Sequence, residues 1–233
     1  MRKIPFDGIT IYYNGRSNKY YDLIVTEVTQ RQRLEENIEL IEIEGRSGTL
    51  VDRLNTFKSY ERKFMLANVR DEMIPLIHDW LRGRGELRTS IDENGFFRAE
   101  VIGPIEREHI GNLHSHLTVT FLVDFFYLDS GTRVIEPPKG ATLRNVGNHD
   151  SEPYIKVYGS GAGTLSIGGQ QVHFTGISSY IEIDSALEIC HKDRLPAGKQ
   201  MSGNFPILPL GESVITWSGG ITGVEITPRW REI

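Results

Sequence analysis

A chain of 233 residues with 39% hydrophobic and 24% charged side chains is too apolar to be disordered. It is long enough to bury the core of one large β domain or two smaller domains. The net charge of −5 argues against a phosphate-binding surface as its main business, and the one cysteine, Cys190, excludes an intrachain disulfide.

No apolar run approaches the roughly 18 residues of a membrane helix. The opening Met1-Arg2-Lys3-Ile4-Pro5-Phe6-Asp7 lacks the apolar core of a signal peptide, so synthesis in the cytoplasm is expected. The first strand signal is Ile9–Tyr13, followed by the turn pair Asn14-Gly15 and a second strand over Asp22–Val28. Arg31–Asn37 is charged and without period, which predicts an exposed loop or arm. Glu39–Glu44 alternates as a strand that ends at Gly45–Gly48. Thr56–Leu66 alternates as one long strand, with Tyr60, Arg62 and Phe64 on one side and the wetter Glu61 and Lys63 on the other.

One helix is predicted. Met73, Ile74, Ile77, Trp80 and Leu81 form an apolar stripe, Asn68 or Asp71 is placed to cap it, and Pro75 confines its start to the neighbourhood of Asp71. Gly83 and Gly85 stop it. Leu87–Ile91 and Phe96–Ile102 read as a hairpin turning at Asp92–Gly95. His114–Leu128 is a central strand with Leu117, Val119, Phe121, Val123 and Phe125 on its core face.

The pattern breaks at Asp129–Arg133, and Pro137-Pro138-Lys139-Gly140 stiffens the chain. The expected division is therefore 1–133, an α+β domain, and 134–233, all β. In the second part about eight short strands alternate with Gly-rich turns, which predicts a jelly-roll-like sandwich. These strands are Thr142–Val146, Tyr154–Val157, Gly163–Ile167, Gln171–Phe174, Tyr180–Ile183, Glu188–His191, Ser213–Trp217 and Gly223–Ile226, with a primed hairpin turn at Gly168-Gly169.

No constellation offers chemistry. Asp92-Glu93-Asn94-Gly95 with Glu100 approaches a calcium loop but places the Glu one residue short. His114 and His116 share a strand face without a third zinc ligand. Asp184, Ser185 and His191 lack the nucleophile turn of a triad. Gly159-Ser160-Gly161-Ala162-Gly163 lacks the Lys and helix of a phosphate loop and reads as a turn between strands. Cys190 is expected as a buried strand residue. The aromatics Tyr154, Tyr158, Phe174, Tyr180, Trp217 and Trp230 open a sugar-stacking possibility against core filling.

Several segments together resemble the distal tail protein family of long-tailed bacteriophages, the siphovirus tail component family. They are Asn145-x-Gly147 with Ser151-x-Pro153, then Asp184-Ser185, then Gly203-x-Phe205-Pro206 with Gly211, then Trp217, and the ending Pro228-Arg229-Trp230-Arg231. The resemblance covers the chain in order, with its specific motifs from Asn145 onward. It implies a mainly β fold, with an N-terminal α+β ring-forming domain and a C-terminal sandwich like galectins and carbohydrate-binding modules. It implies a virion part without catalysis or cofactor. That part would be a homohexameric ring at the tail tip, joining the major tail protein or tape-measure end to tail-tip and receptor-binding proteins around a channel for DNA. No membrane and no sequence-specific nucleic acid partner is implied. The loops are short, so no inserted sugar-binding module is expected.

Within this reading Arg31–Asn37 and Thr56–Leu66 are candidates for an arm that pairs with neighbours. Trp230 is expected to anchor the chain end by packing, with Arg229 and Arg231 free to pair or stack. The alternative reading is a carbohydrate-binding protein that uses the sandwich.

Overall fold

The computed structural model describes residues 8–110 and 114–233. The opening Met1–Asp7 and the side chain of His114 lie outside the described residues. Contacts divide the chain into two compact units, Met1–Phe126 and Tyr127–Ile233. The second begins inside a strand, upstream of the break in pattern at Asp129–Arg133.

The first unit holds strands β1 (Ile11–Tyr13), β2 (Arg16–Ser17), β3 (Ile24–Val28), β4 (Glu35–Glu42), β5 (Thr49–Lys58) and β6 (Tyr60–Val69). Helix α1 (Ile74–Trp80) follows, then β7 (Arg84–Thr89), β8 (Asp92–Val101), β9 (Glu106–Ile110) and β10 (His114–Leu128), the last entering the second unit at Tyr127. The main sheet runs β2-β1-β7-β8-β10-β6-β3, with β9 also on β10. Its organising strand is β10, where Leu117, Val119, Phe121 and Val123 are buried in strict alternation. The alternation slips at the end. Phe126 is buried in place of the expected Phe125, whose ring instead meets Phe57 at 5.6 Å.

Helix α1 starts after a single 3-10 turn, Asp71–Met73, with Pro75 in its first turn where the missing N–H costs nothing. Neither expected cap acts as one. Asn68 is left-handed (φ 64°) and its amide donates to the carbonyl of Asp22 at 2.8 Å, while Asp71 pairs with Arg107. Ile77, Trp80 and Leu81 are buried, each worth roughly 1.5–3 kcal/mol of hydrophobic stabilisation. The Trp80 indole N–H donates to the carbonyls of Tyr13 (2.9 Å) and Arg16 (3.2 Å), so the helix is pinned to β1 by direction as well as by area. Burial pushes the Tyr13 hydroxyl up to about 12.

Two expectations are corrected here. Thr56–Leu66 is not one strand: the chain changes partners at Ser59, so β5 pairs with β4 and β6 pairs with β10 and β3. No Gly or Pro marks that change, because the available partners set it. The second correction concerns the hairpin, which turns at Ser90-Ile91 and not at Asp92–Gly95. Thr89 faces Asp92 and Leu87 faces Phe97, so Glu93–Gly95 bulge from the ladder, with Asn94 left-handed at φ 67°.

The second unit holds β11 (Ala141–Asn145), β12 (Tyr154–Ile167), β13 (Gln170–Asp184), β14 (Ile189–Lys192), β15 (Leu195–Pro196), β16 (Met201–Ser202), β17 (Gly211–Thr227) and β18 (Arg231–Glu232). Its sheet runs β11-β17-β12-β13-β14-β15, with β16 on β13. Six of the predicted short strands are therefore halves of three long ones. Gly159–Gly163 is a bend inside β12 and not a turn between strands. Register shifts at Gly161/Gly163 and at Tyr158/Gly159 let β12, β13 and β17 bend together. Glycine is required at Gly220 on β17, where a Cβ would lie 1.8 Å from the carbonyl oxygen of Ser160 in that bend. Residues from both halves of β12, Ile155 and Val157 with Leu165 and Ile167, bury in one core with Phe174, Ile181, Ile215 and Trp230. The sheet thus curls over a single core, which makes a sandwich out of continuous strands. The Gly168-Gly169 turn has φ of 55° and 87°, the primed geometry its sequence predicts.

Candidate functional site

Most of the residues that carry the family resemblance meet at the carboxyl end of the chain. Arg229 is left-handed (φ 57°), which turns its guanidinium back onto Asp184 in a two-pronged pair of 2.6 and 2.9 Å. Arg231 makes a second such pair with Glu152 (3.0 and 2.9 Å), and its Nε donates to the carbonyl of Asp150 at 2.6 Å. Between them Trp230 is 3% exposed and sits in the core. Ser151 donates its hydroxyl to the carbonyl of Pro228 at 2.8 Å. The Asn145 amide donates to the carbonyls of His149 and Leu208, both at 3.0 Å, and its oxygen accepts from Gly147 N–H. A Cβ on Gly147 would lie 2.3 Å from the carbonyl oxygen of Arg231. Pro153 is buried and its carbonyl accepts from Ser185 N–H at 3.1 Å. Both guanidinium groups pair, as expected, and that of Arg229 also lies 5.6 Å from the centre of the Tyr154 ring.

Burial works to raise the Asp184 carboxyl. The hydrogen bonds and charge of Arg229, with the N–H groups of Leu187 and Ala186, outweigh it and hold the group below its ordinary value. A depressed folded value contributes stability that is present above the unfolded carboxylate's pKa and lost as pH falls through the folded one. Asp184→Asn should therefore cost about 1–3 kcal/mol at neutral pH and progressively less below about pH 4. Urea midpoints measured across pH check this. Equal loss at every pH would contradict it.

The remaining motif residues do not join this knot. Gly203 is left-handed (φ 102°), and a Cβ there would lie 2.5 Å from the carbonyl oxygen of Gln171. Phe205 and Trp217 are half-buried against the core, Pro206 is buried, and Gly211 turns the chain into β17 at φ 91°.

The chemical candidates separate in space or in role. Asp184 is occupied by Arg229, and the Ser185 hydroxyl is buried with no hydrogen-bond partner, so no base stands beside it. His191 faces Glu182 at 3.4 Å across the β13–β14 ladder. Burial pushes the Cys190 thiol up to about 11, which keeps it from being a ready nucleophile. Among the described residues no group of three His, Cys, Asp or Glu is placed to hold a metal, and no helix is long and apolar enough to cross a membrane. Asp92, in the stretch that falls short of a calcium loop, holds Arg62 at 2.6 Å. Of the aromatics, Phe174 and Trp230 are core residues. The Tyr180 ring has the Lys156 and Lys192 ammonium groups 4.1 and 5.3 Å from its centre.

A second feature belongs to the first unit. Strands β4 and β5 form a two-stranded ribbon that, among the described residues, pairs with no other strand. Ile38, Leu40, Ile41, Leu50, Val51 and Leu54 are all exposed on it, with Leu40 facing Val51 and Ile41 facing Leu50 across the ladder. An isolated ribbon with apolar pairs on both faces is marginal in water, which makes this one a candidate interaction surface. The sequence reading placed the arm on Arg31–Asn37 and Thr56–Leu66, flanking Glu35–Lys58 and overlapping only its ends. In Thr56–Leu66 one face of β6 is interior, with Arg62, Phe64 and Leu66 fully buried, while Glu61 and Lys63 are exposed.

No protein-family profile matches this chain, and no curated protein matches it. Among solved structures it is similar to the SPP1 Dit (gp 19.1) protein, described as a paradigm of the hub adsorption apparatus in phages infecting Gram-positive hosts. The TM-score is 0.70 at 14% sequence identity, over 94% of this chain and 98% of that one. The chain therefore has a Dit-like, mainly β fold from near one end to the other.

Proposed function

On the premise of a Dit-like fold, we propose that this chain is a structural component of the tail tip of a long-tailed phage or prophage. It is made in the host cytoplasm and built into the virion. In this reading it forms a homohexameric ring around a channel for DNA. The ring joins the tail tube or tape-measure end to the tail-tip proteins that meet the host, and the chain does no catalysis of its own. The observation that carries the reading is the match in fold to SPP1 Dit over nearly the whole of both chains. The β4–β5 ribbon supports it, because a ring subunit needs an apolar surface that a neighbour covers.

Negative-stain imaging and light scattering of the purified protein test it. Six-fold rings are expected. A strict monomer that binds on a glycan array would overturn the reading in favour of a carbohydrate-binding protein. Leu40→Asp with Val51→Asp places two charges on one face of the ribbon, without touching a buried residue. The pair should raise the concentration needed for assembly by about tenfold or more, since central apolar contacts dominate interfaces. The circular dichroism spectrum should not change. Rings that persist unaltered would remove the ribbon from the interface.

A further inference from the structure

The segment 127–135 has the composition of a linker, yet it is tied down at four points, and three of the ties come from the chain's last residues. Leu128 N–H donates to the Trp230 carbonyl at 2.9 Å, and Arg229 N–H donates to the Gly131 carbonyl at 2.8 Å. Ile135 and Ile226 exchange a reciprocal pair of backbone bonds, both 2.8 Å. At the fourth point the backbones touch: Gly131 is buried, and a Cβ on it would lie 2.3 Å from Trp230 N. The left-handed Arg229 that makes this approach is itself held by Asp184, and Arg231 by Glu152. Two charge pairs and a buried indole thus stand behind three backbone contacts to a stretch whose own apolar anchors, the buried Tyr127 and the half-buried Leu128, lie at its start.

We propose that Pro228–Glu232 is a strap that clamps the Leu128–Ile135 segment, so that the start of the second unit is stiff because its end is fastened over it. With the strap seated, the segment is a rigid part of the sandwich. With the contact at Gly131 broken, the same residues become a flexible tether while the sandwich core stays folded. The reason is spatial. The three atoms nearest to a Cβ on Gly131 all belong to the backbone of the strap, whereas the Trp230 side chain is buried in the core.

The test is Gly131→Ala in the full chain, which sets a methyl group against the backbone of Arg229 and Trp230 while changing no side chain of either charge pair nor the indole. Two readouts apply: amide hydrogen exchange across the chain, and tryptic cleavage at Arg133, which is exposed in the segment. Exchange at Leu128 and Ile135, and cleavage at Arg133, should rise about tenfold or more while β12 and β13 amides keep their protection. Unchanged exchange and cleavage would overturn the strap. So would an equal loss of protection in β12 and β13, because the segment would then be core and not a strapped linker. Asp184→Asn, which weakens the hold on Arg229 without a steric clash, should move the same two readouts in the same direction. If it leaves both unchanged, the charge pair plays no part in the strap.

Discussion

Trp230→Ala should destabilise the second unit by about 3–5 kcal/mol, the range for truncating a fully packed large aromatic. The side chain is 3% exposed and belongs to the core formed by β12, β13 and β17. The neighbouring pairs, Arg229 with Asp184 and Arg231 with Glu152, hold the backbone in place on both sides. The surroundings therefore cannot collapse into the space, and the cavity term adds to the lost transfer energy. Trp230→Phe should recover most of the loss because it keeps most of the buried volume. Urea titration of the full chain, read through exchange of β12 and β13 amides, isolates this unit. A loss under about 1 kcal/mol would mean that the two ion pairs, and not the indole, fasten the chain end.

Arg62→Ala should cost the first unit a comparable amount, about 3–5 kcal/mol, for the opposite physical reason. Arg62 is fully buried and its guanidinium lies 2.6 Å from Asp92, whose side chain is 9% exposed. The Phe97 ring is 4.9 Å from the guanidinium carbon. Alanine would leave the Asp92 carboxylate in the interior where, among the described residues, the Thr89 hydroxyl alone donates to it, at 2.7 Å. The pair as a whole is less valuable than either half suggests. Arg62 Nε has no hydrogen-bond partner, so part of its desolvation is never offset. Arg62→Met combined with Asp92→Asn should therefore be much milder than Arg62→Ala alone, with a coupling of about 1–3 kcal/mol in a double-mutant cycle. Additive losses would mean that the two side chains act separately.

Much of the fold was legible because it is local. The helix stripe from Ile77 to Leu81 and the alternation through Leu117–Val123 are periodicities of the backbone itself. The double-glycine turn at Gly168-Gly169 and the confinement of Pro75 to a first turn are likewise backbone preferences. Side chains answer to them before any partner is present. Arg62 shows the limit of such reading. The alternation placed it beside Phe64 on one side of the strand, but nothing in the spacing says that Asp92, far away in sequence, would neutralise it.

The same limit explains the errors. Gly159–Gly163 marked a change of direction, and a turn was the local reading. That the strand continues through it depends on Gly219 and Gly220 bringing a second bend alongside. The split of Thr56–Leu66 at Ser59 depends on which strands lie next to each half. Asn68 and Asp71 carry good capping side chains, but each found a stronger partner across the sheet.

The ending Pro228-Arg229-Trp230-Arg231 stood out in the sequence through its family resemblance, and Trp230 was expected to anchor the chain end by packing. Its partners were not. Asp184, Glu152, Ser151 and Gly131 are drawn from three separate stretches, and only the curled sheet brings them within hydrogen-bond distance. By itself the sequence determined which residues want to be inside and where the backbone prefers to turn. The tertiary structure decided which charges are paired, which strands are continuous and which surface is left uncovered. Each of those outcomes depends on contacts between residues far apart in the chain, whose free energy exists only once the chain has closed on itself.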